Sequence, residues 1–132
     1  MYSGVTMRFA EAALAGRQLT VYGDGRQARD FVHVDDVVAA TILAAERNGA
    51  KGGTFNVGTG SGTTILRLAR LFLASARNRK TGIVHVEPKP GDIRQSWASI
   101  DKAKSILRYK PRVELEMGLE SFLSWYSSVY HR

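Results

Sequence analysis

Apolar positions along the chain recur first at helical and then at alternating spacing. Val5, Phe9, Ala12 and Ala13 lie one helical face apart and Gly16 offers a stop, so Val5 to Ala15 is predicted to be a helix. Leu19 to Tyr22 ("LTVY") is a short β-rich run, the Gly23-Asp24-Gly25 cluster turns the chain, and Arg29 to Val34 ("RDFVHV") is a second strand. Val37, Val38, Ile42 and Ala45 mark the next helix, with Asp35 or Asp36 as its N-cap. After Gly49 to Gly53 comes a strand at Thr54 to Val57.

A helix follows with Ile65, Leu68, Phe72 and Ala76 on one face, Arg67, Arg70 and Arg77 on the other, and Thr63 or Thr64 as its cap. Strand Ile83 to Val86 leads into "EPKPGDIRQSWAS", where two prolines exclude a helix. Two helices end the chain, from about Asp101 to Arg108 and from about Leu115 to Tyr130, the last with Leu115, Leu119, Phe122, Tyr126 and Val129 as its packing face. Helices alternating with short strands predict an α/β fold.

The stretch "FNVGTGSGTTILRLARLF", Phe55 to Phe72, passes from an apolar strand through alternating glycines into an amphipathic helix, the layout of a dinucleotide grip. Two details oppose that reading. Thr63 stands where the fingerprint has its third glycine, and the acidic Glu87 lies beyond the usual gap of about twenty residues. Gly23 to Ala28 also spells G-x-G-x-x-A, but a strand follows where the fingerprint needs a helix, so it reads as a turn.

At 132 residues, 44% of them hydrophobic, the chain is long enough to bury one core. The absence of cysteine excludes disulfides and thiolate metal sites. No apolar run reaches transmembrane length and no signal-peptide layout opens the chain, so a cytoplasmic protein without membrane contact is expected. A net charge of +7 raises nucleic acid as a partner. The basic residues are scattered, however, with no zinc-finger spacing and no dense basic stripe, so no nucleic-acid partner is expected.

The three histidines, His33, His85 and His131, are too dispersed for a metal signature, and no metal site is expected. Asp35 and Asp36 fit caps and dipole partners better than an acid and base pair. Arg29, beside the glycine turn, and Arg94, after Pro90-Gly91-Asp92, stand where guanidinium groups project from turns, and a guanidinium holds a phosphate through two parallel hydrogen bonds. Chemistry alone reads each as a surface residue, and sequence order does not make them converge.

Taken together, "YSGVTMRFAEAALAGRQLTVYGDGRQARDFVHVDDVVAA", "GGTFNVGTG" and "KPGDIRQSWASIDKAKSILRYKPRVELEMGLESFLSWY" resemble, in order and spacing, the C-terminal half of the NAD-dependent epimerase/dehydratase family. These are extended short-chain dehydrogenase/reductases acting on nucleotide sugars, and the likeness is nearest to UDP-glucose 4-epimerase-like members. It covers Tyr2 to about Tyr126. Two positions depart from the pattern: Ser99 stands in place of an aspartate, and Arg67 in place of the acid that would complete a capping box with Thr64.

The resemblance implies that a Rossmann half holding NAD and carrying a Tyr-x-x-x-Lys motif precedes this region. None of the five tyrosines here is followed four places on by lysine, and Met1 falls mid-pattern. The expectation is therefore a substrate-binding C-terminal domain over residues 1–132, a fragment with about five helices, without catalytic residues or NAD of its own and inactive alone. Its ligand would be a UDP-sugar. The resemblance places Arg29 and Arg94 on the nucleotide's phosphates and ribose, Asn56 near the nucleotide, and Gly4 to Thr6 (with Val5) and Val21-Tyr22 along the base; Gly91 and Asp92 belong to the same loop as Arg94.

The resemblance further makes Thr54 to Val57 the last parallel strand of the Rossmann sheet and leaves the pyrophosphate to a glycine loop elsewhere. Without that sheet, an unpaired strand edge and an apolar face would drive self-association into a homo-oligomer.

Overall fold

The computed structural model describes residues 4–75 and 81–130. Tyr2, Ala76, Arg77 and His131 lie outside the described residues. Helices and short parallel strands form an α/β arrangement, divided into two compact units.

The first unit takes the described residues of 4–27, 64–94 and 116–130. It contains α1 (Val5–Leu14), β1 (Leu19–Tyr22), α3 (Ile65–Ser75), β4 (Ile83–Val86) and nearly all of α4 (Leu115–Tyr130). β1 and β4 pair in parallel, from Leu19 opposite Ile83 to Tyr22 opposite Val86. Alternation along β1 buries Leu19 and Val21 completely and turns Thr20 and Tyr22 outward. Phe9 of α1 meets Phe72 of α3 edge to face at 5.8 Å, and Phe72 meets Phe122 of α4 at 6.4 Å. Offset ring pairs of this kind add to burial itself.

On α3 the expected face is realised, with Ile65, Leu68 and Phe72 buried and Arg67 and Arg70 exposed. α4 departs in two positions: Leu123 is buried with Leu119 and Tyr126, while Val129 is half exposed. At 3.6 residues per turn the apolar stripe passes from Leu119 to Leu123 to Tyr126, and Val129 has rotated off it.

The second unit comprises Ala28–Thr63 and Gln95–Leu115. β2 (Ala28–Arg29) pairs in parallel with β5 (Gln95–Ser96) and neighbours β3 (Thr63–Thr64). α2 (Val34–Glu46), a short 3-10 turn (Asn48–Ala50) and a π-helical segment (Ala103–Leu107) enclose a core of Ala40, Ala50, Ile100, Ala103, Leu107 and Tyr109. The π segment ends at Arg108, which takes φ 60°, and the Tyr109 N–H closes back on the Ala103 carbonyl at 3.2 Å. This left-handed stop turns Tyr109 into the core.

Two expectations fail in this unit. Of the strand expected from Arg29 to Val34 only Arg29 lies in β2, because the Asp30 side chain turns to the 59–60 loop and α2 already starts at Val34. The α2 cap is His33, whose Nδ1 accepts the Asp35 N–H at 3.2 Å, rather than either aspartate. Asp36 is instead buried, accepting the N–H groups of Arg112 (2.9 Å) and Val113 (3.1 Å).

Thr54 to Val57 pairs with no strand among the described residues. Phe55 and Val57 pack on the core while Asn56 faces out and donates Nδ2 to the Ser99 carbonyl at 3.4 Å.

Candidate functional site

A cleft of about 320 Å³ opens in the first unit between the turn after β1 and the loop after β4. Tyr22, Gly23, Asp24, Gln27, Pro88, Lys89, Asp92 and Arg94 line it. The turn is fixed from both sides: the Gly23 N–H donates to Val86 (2.8 Å), and His85 Nδ1 lies 2.7 Å from the Gly23 carbonyl, which accepts its proton. Gly25, at φ 71°, has no room for a side chain, since a Cβ would stand 2.8 Å from Val21 Cγ1 and 2.9 Å from Leu66 Cβ.

Across the cleft, Lys89-Pro90-Gly91-Asp92 makes a tight turn in which the Asp92 N–H donates to the Lys89 carbonyl at 3.2 Å. Proline second and glycine third with φ 78° is the residue order that a type II turn requires. The turn brings Lys89 and Asp92 to the same opening. Lys89 Nζ sits 4.6 Å from the centroid of the Tyr22 ring and the Arg8 guanidinium 5.6 Å from it, both within cation–π range. Buried Gln27 donates its amide to the Tyr22 carbonyl at 2.9 Å and holds that residue from below.

Arg94 meets Asp24 fork to fork, Nη1 to Oδ1 at 3.1 Å and Nη2 to Oδ2 at 2.9 Å. The Arg94 hydrogen bond, with the Arg26 N–H on the same carboxylate, holds Asp24 below the usual carboxylate range, and Asp24 raises Arg94 in turn.

The glycine-rich stretch after Asn56 has different work. The Asp30 carboxylate accepts the Thr59 N–H at 2.9 Å, the Thr59 hydroxyl at 2.6 Å and the Gly60 N–H at 3.2 Å. Those loop donors, which a pyrophosphate would need, are held by a resident carboxylate.

The start of α3 is equally occupied. Ile65 N–H donates to the Gln27 carbonyl and Leu66 N–H to the Gly25 carbonyl, both at 2.9 Å, while Thr64 Oγ1 caps the Arg67 N–H at 3.2 Å. The stretch therefore does not fit the pyrophosphate of NAD, and no NAD chemistry is assigned to it.

Among the described residues no three His, Cys, Asp or Glu side chains stand together as metal ligands, and no helix is long and apolar enough to cross a membrane.

The sequence profile of the NAD dependent epimerase/dehydratase family matches residues 1–58. UDP-glucose 4-epimerase of Mycolicibacterium smegmatis is 36% identical over 94% of this chain and 39% of its own length. A solved UDP-glucose 4-epimerase of Thermotoga maritima, with UDP-glucose, superposes with a TM-score of 0.84 at 38% identity, over 96% of this chain and 40% of that one. An epimerase of Methanothermobacter thermautotrophicus reaches 0.91 at 28% identity, over 99% and 39%. The chain belongs to the NAD-dependent epimerase/dehydratase family. It spans about two fifths of the length of these relatives.

In this epimerase/dehydratase family member, Tyr22, Asp92 and Arg94 of the expected site come together in the cleft, and exposed Gly91 makes the turn that carries Asp92. Val21 does not line it: its side chain is fully buried in the core. Val5 and Thr6 are half-buried in the first turn of α1 and do not line it either. Arg29 and Asn56 belong to the other unit, where Arg29 Nη1 donates to the Ala28 carbonyl at 2.8 Å.

Sequence reasoning overlooked Lys89, Gln27 and Asp24. Lysine flanked by Pro88 and Pro90 was the available signal for the first, since such a backbone has few ways to direct its side chain.

Proposed function

We propose that this chain is the nucleotide-sugar-binding part of an NAD-dependent sugar-nucleotide epimerase or dehydratase. Its ligand is a UDP-sugar, and the full-length protein carries out 4-epimerisation of the UDP-glucose/UDP-galactose type in the cytoplasm. The observation that carries this is the cleft at Tyr22, where a flat ring, the Lys89 ammonium and the Arg94 guanidinium share one opening. An aromatic face suits a base or sugar ring, and a guanidinium suits a phosphate.

Binding energy from the nucleotide end, remote from the reacting sugar, positions that sugar for chemistry carried out elsewhere in the full-length protein. The chain alone binds without turnover, and NAD serves the full-length protein. Arg29 and Asn56 remain further ligand contacts by resemblance.

Calorimetric titration of the 132-residue chain with UDP-glucose is the test. Saturable heat that weakens with Arg94→Ala and with Arg29→Ala, and comes without conversion to UDP-galactose, is expected. No heat at any ligand concentration overturns the reading.

A second reading, self-association, is favoured by α2. Val34, Val37, Val38 and Ile42 recur at helical spacing and are 65%, 37%, 50% and 51% exposed. This helix face is the apolar contact surface, beside the unpaired stretch Thr54 to Val57. A monomeric mass at high protein concentration rejects it.

A further inference from the structure

We infer that the Asp24 carboxylate is a built-in occupant of the Arg94 guanidinium, and that a phosphate-bearing ligand enters the cleft by exchanging with it. Asp24 thereby sets how tightly the cleft holds anions. The inference rests on the nucleotide-binding reading above and adds a residue to it.

Three observations carry it. First, Asp24 engages both arms of the Arg94 fork, at 3.1 and 2.9 Å, and this is the same two-bond face that a phosphate takes. Carboxylate and phosphate therefore compete for one set of donors. Second, the carboxylate is held in place: its Oδ1 also accepts the Arg26 N–H at 2.9 Å, and Asp24 sits between Gly23 and Gly25, both at positive φ. The turn presents the acid to the cleft whether or not a ligand is there.

Third, the charges of the lining side chains cancel, Lys89 and Arg94 against Asp24 and Asp92. The lining side chains therefore present an anion with no net charge until Asp24 lets go. The side chains of the pair are 63% and 46% exposed, so water screens it and stands ready to take over each partner, and the exchange has a low barrier.

The experiment is calorimetric titration of the 132-residue chain with UDP, and separately with inorganic pyrophosphate, in wild type, Asp24→Asn, Arg94→Ala and the double variant. Asp24→Asn is expected to bind UDP about two- to fivefold more tightly than wild type, the range an exposed ion pair commands. The gain should shrink as salt rises and be absent in the Arg94→Ala background.

Asp24→Ser, which keeps an oxygen for the Arg26 N–H, should behave like Asp24→Asn and serves if the latter folds poorly. If wild type binds UDP but both Asp24 variants bind equally or more weakly, or if the gain survives Arg94→Ala, the exchange is refuted while the nucleotide site stands. If neither UDP nor pyrophosphate binds any form, the nucleotide reading and the exchange fall together.

Discussion

The Tyr109 hydroxyl donates to the Gly58 carbonyl at 2.9 Å, joining positions 51 residues apart inside the second unit. Tyr109 is almost wholly buried, and its ring belongs to the core while its one polar atom has this partner. Tyr109→Phe keeps the ring and leaves the Gly58 carbonyl without that donor. A loss of about 1–2 kcal/mol in urea unfolding is expected.

The same residue sets an alkaline limit. Burial, with the charges of Asp36 and Asp30 nearby, pushes the Tyr109 hydroxyl above its ordinary value of about 10. The folded state therefore keeps a proton that the unfolded chain releases. Its contribution is fully present below about pH 10 and is lost as pH rises toward the folded value. Unfolding midpoints followed upward from about pH 9 should fall in wild type and fall less steeply in Tyr109→Phe.

Asp30 anchors the glycine loop rather than any ligand. Asp30→Ala strands the part-buried Thr59 N–H and leaves the exposed Gly60 N–H to water, and a destabilisation of about 1–3 kcal/mol is expected. Hydrogen exchange at those two amides should accelerate more than at α1 amides. Equal acceleration everywhere would mean that Asp30 acts only on global stability.

Gly25→Ala forces a methyl against Val21 and Leu66 at a positive φ. A loss of about 2 kcal/mol is expected, read as a lower thermal midpoint. Gly52→Ala, where nothing lies within 4 Å of the added carbon, isolates the backbone term alone and should cost about half as much.

Val38→Asp and Ile42→Asp place charge on the exposed face of α2. Thermal stability of the isolated chain should change by less than about 0.5 kcal/mol, because both side chains are half exposed. Light scattering at high concentration should report a smaller mean mass than wild type if that face mediates association. An unchanged distribution removes α2 as the contact.

Periodicity carried the elements that pack by themselves. α1, β1, β4 and α4 stand within a residue of where apolar spacing puts them, since a buried stripe leaves its period in the sequence. Asp30 and Asp36 were beyond that reading. Their partners, the amides of Thr59 and Gly60 and of Arg112 and Val113, come from distant points of the chain, and no local spacing encodes them.

A weaker signal did exist. Asp30 sits beside an apolar run, and a carboxylate drawn into such surroundings needs donors from somewhere. Val37, Val38 and Ile42 mark the opposite failure, because helical spacing identifies a face without saying what covers it. The cleft was half legible: Tyr22, Asp92 and Arg94 came from the resemblance, while Lys89, Gln27 and Asp24 appear only when the β1 turn meets the β4 loop.

Pairing β1 directly with β4 has a consequence for how the chain acquires its shape. During synthesis β1 emerges before its partner, with the whole segment Ala28–Thr63 made in between. The first unit also waits for α4, which follows its other elements in chain order, so its closure depends on long loops. Until then Leu19 and Val21 stand open to solvent on an unpaired strand, a window in which a nascent chain is exposed to aggregation.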